Sequence, residues 1–308
     1  MKKILIVILI VLSVVYLTLS TPEINRPAKI SYNNIKVESV TAHKEKAKIK
    51  NIETFSIVNK AIPGKGVQVK HPQIDFIKKL KEEKIIQAKV DDGYAIAYGD
   101  VLLGEVEVES KEKNIFVEST AINLWDSNKI HYFIEPDLAN KMEVEKAIEI
   151  MNKTTAMEFI PFDSLDVDGI VFRTGKNNCY SYLGKIGGIQ PIMLSPRCEV
   201  TEILHEILHA LGFIHEQSRS DRDEYITILW DNIIPEYYSQ FQIVPDNYMI
   251  TVEGTDFDFS SIMLYKPDSF SKKDGVKTMQ PKGIGQFNLK IENLGRIDIE
   301  RIDRIYRK

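Results

Sequence analysis

HEILHALGFIHEQSRSDRDEY, residues 205–225, places three histidines within eleven positions of a chain that has six in all. An α-helix turns once every 3.6 residues, so His205 and His209 share one face, one turn apart, and both imidazoles can reach one metal ion. Glu206 lies one residue further round, at the edge of that face, within reach of a water on the metal. Gly212 ends the helix, because glycine enters the left-handed conformation that turns a chain sharply. The reversal lets His215 return as a third ligand. Three protein ligands leave zinc an open corner for water, the mark of a catalytic rather than a structural site. The competing reading is a solvated helix that happens to carry histidines.

The remaining composition sets bounds. The 308 residues allow one large domain or two modest ones, with 44% hydrophobic and 27% charged residues, ordinary for a globular protein. A net charge of −4 gives no electrostatic case for nucleic acid. Twelve lysines fall between Lys44 and Lys89, a pattern that reads as a solvated, loosely packed surface, with a basic partner-binding patch as the alternative. At the N-terminus, Lys2 and Lys3 precede an apolar run of 16 residues, Ile4 to Leu19. That is short for a membrane span of about 20 residues and suits a secretory signal ending near Ser20. Because the cleavage site is not a clean small-residue pair, an uncleaved signal anchor stays open, and with it membrane attachment. Cys179 and Cys198 are the two cysteines. In an oxidising compartment they can close a disulfide loop worth about 3 kcal/mol; two inert thiols are the alternative. Without a C-x-x-C spacing they do not read as zinc ligands.

Along the chain, Ile74, Ile77, Leu80 and Ile85 predict a short amphipathic helix over Ile74–Ile86, and Tyr94–Val108 reads as extended chain with a turn at Gly99-Asp100. Strands are predicted at Ile130–Ile134, Glu158–Phe162 and Gly169–Phe172. A helix is predicted through Val144, Ala147, Ile148 and Met151, the histidine helix from near Val200, and a final helix over Ile297–Tyr306. A sheet and helices followed by irregular chain imply the α+β class.

The run from His205 to Tyr225 resembles the astacin branch of the metzincin peptidases, whose signature continues into a Glu and an Arg-x-Asp-Arg; Glu216, Arg219, Asp221 and Arg222 match it. NNCYSYLGKIGGIQPIML (177–194) with Cys198 resembles the family's Cys-Tyr-Ser-Tyr segment and closing cysteine, and DFSSIMLYKPDSFS (258–271) resembles its Met-turn. The resemblance covers roughly Leu124 to Tyr306. It implies a twisted mixed sheet with helices, a zinc-binding active-site helix and an irregular C-terminal subdomain carrying the Met-turn, all preceded by a propeptide. It implies His205, His209 and His215 as zinc ligands, Glu206 as general base and acid, Met263 as an apolar floor below the metal, Tyr265 as stabiliser of the tetrahedral intermediate, and Cys179–Cys198 as a disulfide. Leu264 replaces the histidine usual in that turn, and two cysteines replace the usual four.

Tyr98-Gly99-Asp100-Val101 is similar to the family's propeptide motif, in which an aspartate takes the water position on zinc and keeps the zymogen latent; its aromatic is one place removed from the usual one. Alone it is also an ordinary Gly-Asp turn. Glu216 is either the buried partner of the N-terminus freed by cleavage near Ser119–Asn123 or a surface carboxylate. The expectation is a secreted zinc metalloendopeptidase acting on proteins or peptides: signal or anchor 1–20, propeptide 21–118, catalytic domain 119–308, with an activating protease as partner. Lys266 is the candidate basic residue of a substrate pocket. The rival is a non-catalytic, zinc-stabilised extracellular binding or adhesion module, against which the intact Glu206 speaks.

Overall fold

The computed structural model describes residues 85–91, 93–105, 114–118, 121–162 and 167–307. Residues 1–20, expected to be a signal or anchor, and most of the lysine-rich stretch lie outside the described residues. None of the described helices is long and apolar enough to cross a membrane.

Eleven strands and three α-helices are named here in chain order. Four strands come first: β1 (Ile85–Asp91), β2 (Tyr94–Ala97), β3 (Val101–Glu105) and β4 (Asn114–Glu118). They are followed by β5 (Lys129–Ile134), α1 (Lys141–Thr154), β6 (Glu158–Pro161), β7 (Gly169–Thr174), β8 (Tyr180–Tyr182), β9 (Ile189–Leu194) and α2 (Val200–Ala210). The chain closes through β10 (Ile226–Ile228), several 3-10 turns, β11 (Met279–Pro281) and α3 (Arg296–Tyr306). Nine strands form one mixed sheet in the order β4-β1-β2-β3-β8-β9-β7-β5-β6, while β10 and β11 pair apart.

The predicted strands and helices stand within a residue or two, save at one place. Ile85 and Ile86, read as the end of a helix, begin β1; the upstream part of that helix lies outside the described residues. The reason is a change of period: Ile86 and Ala88 are buried while Gln87 and Lys89 are less so, the two-residue alternation of a strand. The short strands β8 and β9 escaped the sequence reading because glycines at 184, 187 and 188 divide them.

The main core lies between the sheet and the helices. Val144, Ala147, Ile148 and Met151 form the buried stripe of α1 and pack with Ile203, Leu204, Ile207 and Leu208 of α2. Each large apolar side chain so buried contributes roughly 1.5–3 kcal/mol. A second cluster fills the irregular C-terminal part around Ile226, Phe241, Phe257 and Met279. Leu264 belongs to it, so apolar packing takes the place of the histidine usual there.

Strands β1–β3 are part of the same body. Strand β3 pairs parallel with β8, matching Val101 to Ser181 and Leu102 to Tyr182. One face of this added sheet puts Ile86, Ala88, Ala95 and Tyr98 into the main core; the other puts Ile96 and Leu102 against Tyr180 and Tyr182. Polar ties join the same parts. The Tyr180 hydroxyl donates to Asp91 at 2.6 Å, and the Lys89 ammonium sits 4.6 Å above the Tyr237 ring.

Helix α3 is a strut. Near its start Asp298 accepts from Ser261 Oγ at 2.6 Å and from the backbone N–H groups of Gly295 (2.9 Å) and Ile262 (3.2 Å). Midway, Arg301 donates to Glu216, to Thr255 Oγ1 and to the Asp256 carbonyl. Glu216 is fully buried and also pairs with Arg219, whose guanidinium forks onto Asp221 at 2.9 and 2.7 Å. Burial pushes the Glu216 carboxyl upward, and the two guanidinium groups pull against that.

Two consequences are measurable. Cys179 and Cys198 form a disulfide across a separation of 19 residues, so reduction should cost about 3 kcal/mol of stability, read as a shift of the denaturant midpoint with and without reductant. Glu216→Ala leaves the buried Arg301 without its carboxylate and Arg219 with Asp221 alone, and should cost about 3–5 kcal/mol, checked by the same unfolding measurement.

Candidate metal centre

The C-terminal end of α2 is fixed before any ion is considered. Gly212, at φ +94°, reverses the chain. Its N–H donates to the His209 carbonyl at 2.8 Å and that of Phe213 to the Leu208 carbonyl at 2.9 Å, the paired bonds of a Schellman stop. A methyl on Gly212 would stand 2.8 Å from Leu124 Cδ2 and would push that side chain aside, but it is the φ that demands glycine. The carbonyls that a helix end leaves free find distant partners. Trp125 Nε1 donates to Ala210 (2.8 Å), the Tyr306 hydroxyl to Leu211 (2.7 Å) and Thr251 Oγ1 to Gly212 (3.0 Å).

From this anchored end three imidazoles converge, joined by Asp100 from the β2–β3 turn. One ligand atom from each of Asp100, His205, His209 and His215 lies within 4.8 Å of all the others. The separations are 3.1 Å between the Nε2 atoms of His205 and His215, and 3.4, 3.3 and 3.3 Å from Asp100 oxygens to His205, His209 and His215. Tetrahedral zinc with bonds of about 2.0–2.1 Å holds its ligand atoms roughly 3.3–3.4 Å apart. The cluster therefore has the size and donor set of a zinc site.

Hydrogen bonds aim the rings. His205 Nδ1 lies 2.8 Å from the Ile262 carbonyl in the turn before Met263, and His209 Nδ1 lies 2.8 Å from the Phe213 carbonyl. A ring that donates through Nδ1 turns the bare lone pair of Nε2 to the centre. His209 Nε2 and Asp100 Oδ1 are buried without a hydrogen-bond partner, the signature of atoms meant for an ion. Burial pulls the His209 imidazole down to about 4, which keeps it neutral, as a metal ligand must be. Burial opposes ionisation of Asp100, but His215, His209 and His205 outweigh it and hold the carboxyl well below the usual range.

Around the cluster, Glu206 is buried with Oε2 unpartnered, and burial followed by the charges of Asp100 and Glu202 drives its carboxyl well upward. Met263 is 1% exposed in the main core, and its carbonyl receives the Glu216 N–H at 3.0 Å. The Tyr265 hydroxyl donates to the carbonyl of Tyr98, beside Asp100. Burial, then the charges of Asp100 and Glu206, keeps that phenol protonated. A cleft of 920 Å³ opens beside the cluster, lined among others by His205, Glu206, Tyr265 and Lys266, with Lys266 exposed.

Of the residues singled out in the sequence, Asp100, His205, His209 and His215 form the cluster, Glu206, Tyr265, Lys266 and Cys179 line the cleft, and Met263 and Glu216 are buried nearby in the fold. Arg219 and Arg222 serve the scaffold: Arg222 Nη1 donates to the carbonyls of Gln217 (2.6 Å) and Phe241 (2.7 Å). The sequence reading missed Asp298, Arg301, Trp125 and Gln240. Their partners lie far away in the chain, and no local spacing marks them.

Known zinc proteases are similar to this chain. High choriolytic enzyme 1, a hatching enzyme zinc-protease of Oryzias latipes, superposes with a TM-score of 0.52 at 32% identity, covering 61% of this chain and 99% of its own. Zinc metalloproteinase nas-4 of Caenorhabditis elegans is 31% identical over 220 residues, 68% of each chain. Meprin A subunit alpha of Mus musculus is 37% identical over 174 residues, 55% of this chain. The chain spans 35% of the length of nas-13, another zinc metalloproteinase of that nematode, and 23% of meprin A subunit alpha. The family model for Astacin, a peptidase family, matches residues 117–307, and the chain belongs to the astacin family.

Proposed function

We propose that the chain is an exported zinc metalloendopeptidase made as a latent zymogen, with residues 1–20 as leader or anchor, 21–118 as propeptide and 119–308 as the catalytic domain. The observation that carries this reading is the four-atom cluster in which three ligands come from the peptidase segment and the fourth, Asp100, from the segment ahead of it. His205, His209 and His215 would hold the ion. Bound zinc would lower the pKa of water towards 7 and polarise the scissile carbonyl.

The chain's own groups do the rest. Glu206, raised in pKa by its burial, takes the proton of the attacking water at its carboxylate oxygen and returns it to the leaving nitrogen. The Tyr265 hydroxyl, which here donates to a peptide carbonyl, donates to the carbonyl oxygen of a substrate as charge builds there. Met263 and the turn around it hold His205 in place. The names of the relatives, a zinc metalloproteinase and a hatching enzyme zinc-protease, support a protein or peptide substrate.

The same geometry supports latency. Asp100 would take the position on a bound ion that the attacking water needs, so that group would have no place until the segment is cut. Gly99 makes that approach possible: its φ is +106°, and a methyl there would stand 2.6 Å from the Tyr265 hydroxyl. A separate protease would cut near Ser119–Asn123. The released ammonium would then join Glu216, which is already held by Arg219 and Arg301.

Glu206→Gln should keep zinc, measured by elemental analysis, and lose at least 10³-fold in casein hydrolysis, in line with loss of a general base; substantial turnover in the metal-replete variant overturns the assignment. Asp100→Ala and Gly99→Ala should each give an uncut chain with measurable chelator-sensitive activity. A silent uncut Asp100→Ala chain that becomes active on trimming would remove Asp100 from the role.

A further inference from the structure

Gln240 sits on the 3-10 segment Pro235–Phe241 and lines the cleft beside Gly99, Tyr265 and Glu206. It is 7% exposed, and its Oε1 is buried without a hydrogen-bond partner. A buried acceptor left unpaired costs about 1–3 kcal/mol, so its persistence calls for a partner that arrives later. Its mount is rigid. The next residue, Phe241, is fully buried, gives its carbonyl to Arg222 Nη1 at 2.7 Å, and meets the Tyr265 ring edge-on at 6.0 Å between centroids.

The position of the orphan oxygen is informative. A methyl built on Gly99 would stand 2.8 Å from Gln240 Oε1 and 2.6 Å from the Tyr265 hydroxyl. Both side-chain atoms therefore lie against the same side of one stretch of main chain, a single residue from Asp100. The upstream segment satisfies only one of them. The Tyr98 carbonyl takes the Tyr265 hydroxyl, while Gln240 Oε1 has no hydrogen-bond partner. A peptide lying at the cluster in place of that segment would meet both side chains, which line the same cleft.

We infer that Gln240 is a substrate-contacting residue whose side-chain oxygen accepts a backbone N–H of the bound peptide next to the scissile bond, beside the Tyr265 hydroxyl. The contact reads main chain and not side chain, so it serves any peptide sequence. The inference rests on the hydrolytic reading above.

The test uses the full chain activated by limited proteolysis and loaded with zinc, with a peptide substrate in which one flanking backbone amide at a time is replaced by an ester. Wild type should lose about tenfold in kcat/KM at one position of the series, the worth of one hydrogen bond. Gln240→Met and Gln240→Leu should lose about tenfold on the parent peptide and nothing more at that position, with zinc content unchanged; Gln240→Asn should recover part of the loss. A parallel arm measures Kd for the same peptides in a Glu206→Gln background, where no turnover is needed. Variants that handle the parent peptide as wild type does, or that show the same one-position loss as wild type, overturn the inference. Failure of wild type to cut any peptide counts against hydrolysis itself, and the binding arm then still decides the Gln240 contact.

Discussion

The stop after Ala210 is the constraint on which the centre depends. Two ring nitrogens four residues apart are brought together by any α-helix. The third arrives only because the chain reverses at Gly212 within two residues and stays reversed. The carbonyls exposed by that reversal are taken by Trp125, Thr251 and Tyr306, from an early loop, a 3-10 turn and the last helix. Three remote parts of the fold thus hold one helix end. A metal site needs such rigidity, because imidazoles aimed at a common point leave little room for the backbone to drift.

The buried charges around Glu216 belong to the same arrangement. A carboxylate with no exposure is tolerable only when its charge is matched, and Arg219 and Arg301 do so while their remaining donors take carbonyls of the 255–256 loop. Helix α3 therefore fixes both the loop leaving the third histidine, through Arg301, and the turn carrying Met263, through Asp298. Glu216, Arg219 and Arg222 of the long signature are thus buried and tied to one another, to α3 and to backbone carbonyls.

The upstream segment is joined to the fold in the way one strand joins another. Its hydrogen bonds to β8 and its two buried faces position the β2–β3 turn, where Tyr98 and Gly99 both take positive φ so that Asp100 can enter the ligand cluster. A left-handed tyrosine is costly; burial of its ring and the bond from Tyr265 to its carbonyl offset that cost. The upstream residues and the peptidase segment therefore share one core as well as one centre.

The sequence by itself determined the histidine spacing, the helix that aligns His205 with His209, the glycine stop, the periodic stripe of α1 and the paired cysteines, since each is a relation among residues close in the chain. It also marked Asp100 and the turn around Met263, through resemblance to a family pattern. Only the tertiary structure decided that Ile85 and Ile86 start a strand, that β1–β3 extend the sheet, that Asp298 and Arg301 are struts, and that Gln240 faces the cleft. Those outcomes are set by partners 36 to 167 residues apart, such as Ile262 with Asp298 and Tyr265 with Tyr98. Local propensity carries no record of such partners; packing and the pairing of buried polar groups choose them.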